Sequence, residues 1–101
     1  MLLYNTTFAV DIDIEKDVIQ WIEDVFIPSA VEDSCFFSPQ ILRVLGGEPE
    51  VTSIAVHIYT DSIKQIENWY ADHGSALFGS LIERWDGKVV IFSTTLQVIY
   101  G

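Results

Sequence analysis

The stretch LLYNTTFAVDI, residues 2–12, decides the fold. Leu2, Tyr4, Thr6, Phe8, Val10 and Ile12 fall on one face of a strand, and Leu3, Asn5, Thr7, Ala9 and Asp11 on the other, because successive strand side chains point to opposite sides. With no charge before Asp11, this reads as a central strand with the first set turned into the core. The second set is polar yet nearly uncharged, where a solvated sheet face would carry Lys or Glu.

Downstream, Asp13 is placed to cap a helix, with Glu15 and Asp17 in a first turn whose dipole favours negative charge. Ile14, Val18, Trp21, Ile22 and Val25 follow at helical spacing, which predicts one buried stripe with the acids facing water. Pro28 removes a helical hydrogen bond, so a break is expected near Ile27, followed by a short helical turn that starts with Pro28 and runs to about Asp33. ILRVL, residues 41–45, and VTSIAVHIYT, residues 51–60, are two strands joined by GGEPE as a hairpin.

In the later of these strands Thr52, Ile54, Val56 and Ile58 turn to the helix layer, and His57 turns away. Asp61 and Ser62 can cap a second long helix, whose apolar stripe runs through Ile63, Ile66, Trp69, Tyr70, His73, Leu77, Phe78, Leu81, Ile82 and Trp85. Gly74 favours a bend in it. Asp86 and Gly87 end that helix, and a last strand follows over residues 88–100.

Strand, helix, strand, strand, helix, strand is the ferredoxin-like βαββαβ pattern of an α+β protein: a four-stranded antiparallel sheet with two helices on one face. Its first and third strands are central, and right-handed crossovers put both helices on the same side. Residues 1–101 are read as a single ferredoxin-like domain.

Five basic residues against fifteen acidic ones give a net charge of -10, while the mean hydropathy is +0.31. Charge is therefore segregated: the region from Asp11 to Asp33 holds eight acids and one base, Lys16, and the strands are nearly bare. Nucleic acid is not expected as a partner, since Lys and Arg supply most of the affinity for phosphates, nor is an anionic membrane surface. No run approaches the ~20 apolar residues of a spanning helix, and MLLYNTTFAVD lacks the basic start of a signal peptide, so a cytoplasmic location is expected. Cys35 stands alone and reads as a small buried hydrophobe.

Alternate positions of the strands gather an open face of Asn5, Thr7, Arg43, Ser53, His57, Tyr59, Ser93, Thr95 and Gln97. These are interleaved with Leu3, Ala9, Ile41, Leu45, Val51, Ala55, Val89, Ile91 and Ile99. Such a face exceeds the apolar patch a monomer ordinarily exposes, and a second copy of the chain is the simplest cover. Thr7, Ile91, Ser93, Thr95 and Gln97 are the candidate dimer contacts.

The wording MLLYNTTFAVD (residues 1–11), FIPSAVEDS (26–34) and WYADHGSALFGSLIERWDGKVVIFSTTLQVI (69–99) resembles the family catalogued as domain of unknown function 4286. The resemblance spans essentially the whole chain and implies a ferredoxin-like fold and a dimer, related in architecture to the dimeric α+β barrels. It transfers no catalytic residues. Many members of the family carry histidine just before the Ile-Pro step, where this chain has Phe26. The wider barrel superfamily includes cofactor-independent monooxygenases, heme-degrading enzymes, isomerases, dehalogenating enzymes and binding proteins, so fold alone does not settle activity.

Candidate ligand-binding residues are Asn5, Arg43, His57, Tyr59, Trp69 and His73. His57 and Tyr59, with Asn5 on a neighbouring strand, could polarise a bound carbonyl or phenol, or hydrogen-bond one another inside a dimer. His73, with Trp69 and Tyr70, could be a general base or anchor a ligand at a cavity mouth, or simply be satisfied at the helix–sheet boundary. Arg43 could hold a carboxylate of a substrate or of a partner chain. The two histidines show no metal-ligand spacing with Cys35 or a carboxylate pair, so no metal and no cofactor is expected, and the serines lack a nucleophile-elbow context. The leading expectation is a homodimeric, non-catalytic module that binds a small apolar molecule or is purely structural. The alternative is a small cofactor-independent enzyme, monooxygenase-like or isomerase-like, acting on an apolar or aromatic metabolite in a cavity on the open sheet face.

Overall fold

The computed structural model describes residues 1–32 and 36–101, and the expected burial of Cys35 lies outside the described residues. Strands β1 (Leu2–Asp11), β2 (Phe37–Val44), β3 (Val51–Thr60) and β4 (Val89–Gln97) form one sheet in the order β2-β3-β1-β4. Every neighbouring pair is antiparallel. With two helices between the strands this is the ferredoxin-like βαββαβ arrangement, and β1 and β3 are central as the sequence predicts.

The β1–β3 ladder sets the frame: Tyr4 stands opposite Ile58, Thr6 opposite Val56, Phe8 opposite Ile54 and Val10 opposite Thr52. All eight are buried under the helices. Strong period-two contrast on both central strands leaves only one register that buries both apolar sets, since a one-residue slip would turn each to the other face. β2 begins earlier than the sequence suggests, at Phe37, with an irregularity between Phe37 and Gln40 and Ser38 at φ +53°. β4 stops at Gln97, short of the expected end.

The first helix runs without a break from a 3-10 turn (Ile12–Ile14) through α1 (Glu15–Trp21), a π turn (Ile22–Phe26) and α2 (Ile27–Glu32). Its buried residues are Ile14, Val18, Ile22, Phe26 and Ala30, every fourth position. In an α-helix of 3.6 residues per turn, a four-residue step overshoots by about 40°, so such a stripe would wind off the sheet. The widened turn, in which the Ile27 N–H bonds the Ile22 carbonyl, inserts one residue and returns the stripe to the core. It also takes up Pro28, the second residue of α2, so the expected break near Ile27 is replaced by a π turn. Asp13 does not cap the helix: it lies within the 3-10 turn, and its carboxylate accepts from Lys88 Nζ at 3.2 Å.

The second helix repeats this design in α3 (Ile63–Trp69), a π turn (Tyr70–Gly74) and α4 (Ser75–Arg84). Ser62 caps it, accepting the Lys64 N–H at 3.1 Å. The extra residue of the π turn brings Gly74, rather than His73, onto the buried side between Trp69 and Phe78, and His73 is exposed. Gly74 is required by contact: a Cβ there would stand 2.5 Å from the Trp69 ring. Between the helices and the sheet, Phe26 meets Phe8, Trp69 and Phe78 with ring centroids 5.8, 5.6 and 5.3 Å apart, the spacing of favourable aromatic pairs.

Candidate functional site

The outer strands present their side chains opposite to expectation. On β4, Val89 pairs with Val10, Ile91 with Phe8, Ser93 with Thr6, Thr95 with Tyr4 and Gln97 with Leu2. Ile91, Ser93, Thr95 and Gln97 are therefore on the helix side of the sheet and do not belong to the open face. The burial contrast agrees, since Val89 is 7% exposed and its neighbour Val90 is 64% exposed. On β2, Arg43 pairs with Ile54 and likewise turns to the helix side. The reason is common to both edges: each edge strand carries apolar residues on both faces, so alternation gives little contrast and pairing with the central strands decides.

Arg43 Nη2 donates to Glu15 Oε1. The side-chain bond from Arg43 holds the Glu15 carboxyl below the usual carboxylate range against the opposing effect of burial, with further help from Thr52 and Lys16. Its guanidinium is thus engaged in joining the β2 edge to the start of the first helix.

Among the candidates, Asn5, His57, Tyr59 and Thr7 are brought together on the open face. Five cross-strand rows compose it: Leu96–Leu3–Tyr59–Phe37, Thr94–Asn5–His57–Gln40, Phe92–Thr7–Ala55–Leu42, Val90–Ala9–Ser53–Val44 and, at its end, Asp11–Val51. With Arg43 on the other side, the first four rows contain no Asp, Glu, Lys or Arg, and Asp11 carries a carboxylate at the end of the face. Phe37 stacks on Tyr59, with ring centroids 6.3 Å apart. Asn5 Nδ2 donates to Thr7 Oγ1 at 3.3 Å. Val44, Val90 and Phe92 are each more than half exposed within the single chain.

Trp69 is not on this surface. It is buried in the core against Tyr4, Phe26, Phe36 and Phe78. His73 is on the outer side of the second helix.

A second feature, which the sequence reading did not single out, lies on the helix side. A cavity of about 420 Å³ opens between the second helix and β4, walled by Ile66, Tyr70, Phe78, Ile82 and Ile91, with Glu67 beside it. Tyr4 and Ser93 complete the lining. The Tyr4 hydroxyl donates to Ser93 Oγ at 3.2 Å, and Thr6 Oγ1 lies 3.1 Å from the same oxygen. The signal for it was Thr6 itself, a hydroxyl on the core face of β1 between Tyr4 and Phe8, because a buried hydroxyl requires a partner. Chemically, the cavity offers apolar walls and a polar floor. Among the described residues, its lining contains no histidine or arginine. Among the described residues no group of three His, Cys, Asp or Glu side chains is placed to hold a metal ion, and no helix is long and apolar enough to cross a membrane.

Solved structures share the fold at low identity. An antibiotic biosynthesis monooxygenase-like protein of Deinococcus radiodurans superposes with a TM-score of 0.73 at 12% identity, covering 100% of this chain and 95% of its own. A dimeric ferredoxin-like protein from an uncultured marine organism gives 0.67 at 13%, covering 100% and 97%. The heme-degrader MhuD of Mycobacterium tuberculosis gives 0.66 at 17%, covering 100% and 98%. A search of functionally curated proteins gave no match. The family model described as Domain of unknown function (DUF4286) matches residues 1–99, and the chain belongs to that family.

Proposed function

We propose that this chain is a homodimeric binding module for a small apolar molecule, which it takes between the second helix and β4. The observation that carries the reading is the cavity of about 420 Å³ with aliphatic and aromatic walls over a hydroxyl floor. Small-molecule sites are concavities of about 300–1,000 Å³, mostly apolar, with a few placed polar groups. This moves the site from the open face, where the sequence pattern put it, to the opposite side of the sheet. The open face is then free to pair with a second copy. Its exposed Val90 and Phe92 and its uncharged rows support that role, as does the description of a structural neighbour as a dimeric ferredoxin-like protein.

Equilibrium dialysis with 2-acetonaphthone, a neutral aromatic probe, tests the site. Saturable binding is expected for the wild type, and loss of binding for Ile82→Glu, which adds a carboxylate to the cavity wall at an exposed helix position. Absence of saturable binding, or equal binding by the variant with its fold intact, would overturn the reading.

The second reading is turnover: oxygenation of such a molecule, supported by the descriptions of neighbours as monooxygenase-like and heme-degrading. Oxygen uptake matched to the disappearance of a bound phenol would establish it in place of a purely binding role.

A further inference from the structure

The floor of the cavity has a defined polarity. A hydroxyl has one hydrogen to donate and two lone pairs to accept. Tyr4, 4% exposed, gives its hydrogen to Ser93 Oγ. Thr6 is fully buried, and Ser93 Oγ is its hydroxyl's hydrogen-bond partner among the described residues. If Ser93 donated to Thr6, the Thr6 hydrogen would be sealed in the core with no acceptor, the more unfavourable arrangement for a buried donor. Thr6 therefore donates. Two incoming hydrogens fill both lone pairs of Ser93 Oγ, and its own hydrogen is left. Ser93 lines the cavity and is solvent-accessible, so that hydrogen is available to whatever occupies it.

We propose, building on the binding role assigned to the cavity, that Ser93 is a pre-oriented hydrogen-bond donor and that the site selects apolar molecules bearing a neutral carbonyl-type acceptor. Neutrality follows from Glu67 in the lining and the chain's net charge of -10, both of which oppose a carboxylate or phenolate. Ile66, Tyr70, Phe78 and Ile82 supply the apolar walls around the rest of the molecule. No other group in the described lining has a hydrogen held in this way. A ketone, aldehyde, ester or quinone satisfies Ser93, and a hydrocarbon of the same shape leaves its hydrogen without an acceptor.

The test compares 2-acetonaphthone with 2-isopropenylnaphthalene, in which a CH2 group replaces the carbonyl oxygen. For the wild type, about fivefold to tenfold tighter binding of the ketone is expected, the worth of one hydrogen bond. The infrared carbonyl stretch of the bound ketone should lie below its position in an apolar solvent. Ser93→Ala should abolish both the preference and the band shift while retaining hydrocarbon binding. If neither probe binds, the cavity is not a ligand site and the binding role itself fails. If both bind equally with the carbonyl band unshifted, the cavity binds ligands but the donor assignment is overturned. A preference that survives in Ser93→Ala also overturns it. Should that variant not fold, the band position in the wild type decides.

Discussion

Asn5 and His57 stand directly opposite one another on β1 and β3, in the middle of the open sheet face, continued by Thr94 on one side and Gln40 on the other. This polar row is bordered by one containing Leu96, Leu3, Tyr59 and Phe37 and another containing Phe92 and Leu42. A hydrogen-bonding seam within an apolar field suits a twofold contact, because an isologous interface lays each residue against a copy of the same patch. In such a contact the apolar rows would supply burial, and the amide, imidazole and hydroxyl groups would supply partners, including one for Asn5 Oδ1, which has none among the described residues of the single chain. The cavity proposed to bind a ligand lies behind the sheet, and pairing of the open faces would leave it accessible.

Sedimentation equilibrium should give a dimer for the wild type and a monomer for Thr94→Glu, because an unpaired carboxylate in a buried interface forfeits several kcal/mol. An increase of at least about 100-fold in the dimer dissociation constant is the expected size. Ile82→Glu, on the second helix, should leave the dimer unchanged. A wild-type monomer, or dimers for both variants, would show that the open face is not the interface.

Gly74 and Gly79 lie five residues apart on the second helix and should respond oppositely to alanine. A Cβ at Gly74 meets the Trp69 ring at 2.5 Å, and that ring is fixed among Tyr4, Phe26, Phe36 and Phe78. Gly74→Ala should destabilise the fold by about 1–3 kcal/mol, the usual effect of overpacking. At Gly79 a Cβ meets nothing within 4 Å, so Gly79→Ala should stabilise it by up to ~1 kcal/mol through helix propensity. Urea unfolding of both variants measures the contrast, and similar values for the two would refute the steric role of Gly74.

The fold was legible because its two central strands alternate without ambiguity. Ile54, Val56 and Ile58 against Ser53, Ala55 and His57 leave one choice of face, and Tyr4, Phe8 and Val10 leave one for β1. The edge strands were not legible in the same way. In VVIFSTTLQ, residues 89–97, Val89 and Ile91 are as apolar as Val90 and Phe92, so only the pairing of Ile91 with Phe8 settles which pair is inside. The helical stripe failed at His73 for a different reason. A π turn adds one residue mid-helix, and α-helical spacing extended past Trp69 lands one position short of Gly74. Both errors fell on the candidate site: Ser93 and Ile91 line the helix-side cavity, and Arg43 left the open face for Glu15.

The ion pair of Arg43 with Glu15 should be visible in acid. Glu15 has its carboxyl lowered chiefly by the Arg43 hydrogen bond, then by Thr52 and Lys16, so the folded state holds its proton less tightly than the unfolded chain. The stabilisation from this pair is therefore fully present above the unfolded carboxyl value, about 4.3. It declines as pH falls through the lower folded value, because the unfolded state takes up the proton first. Arg43 is about half exposed, with 52% of its side-chain surface accessible, so the effect should be modest and reduced by salt. Arg43→Ala should raise the Glu15 titration midpoint toward that of a free carboxyl, read from its side-chain carbon resonance. The stability difference between wild type and variant should be constant near neutral pH and shrink below pH ~4. A difference that stays the same down to pH ~2, or a Glu15 midpoint unmoved by the substitution, would show that the bond does not hold the β2 edge to the helix in solution.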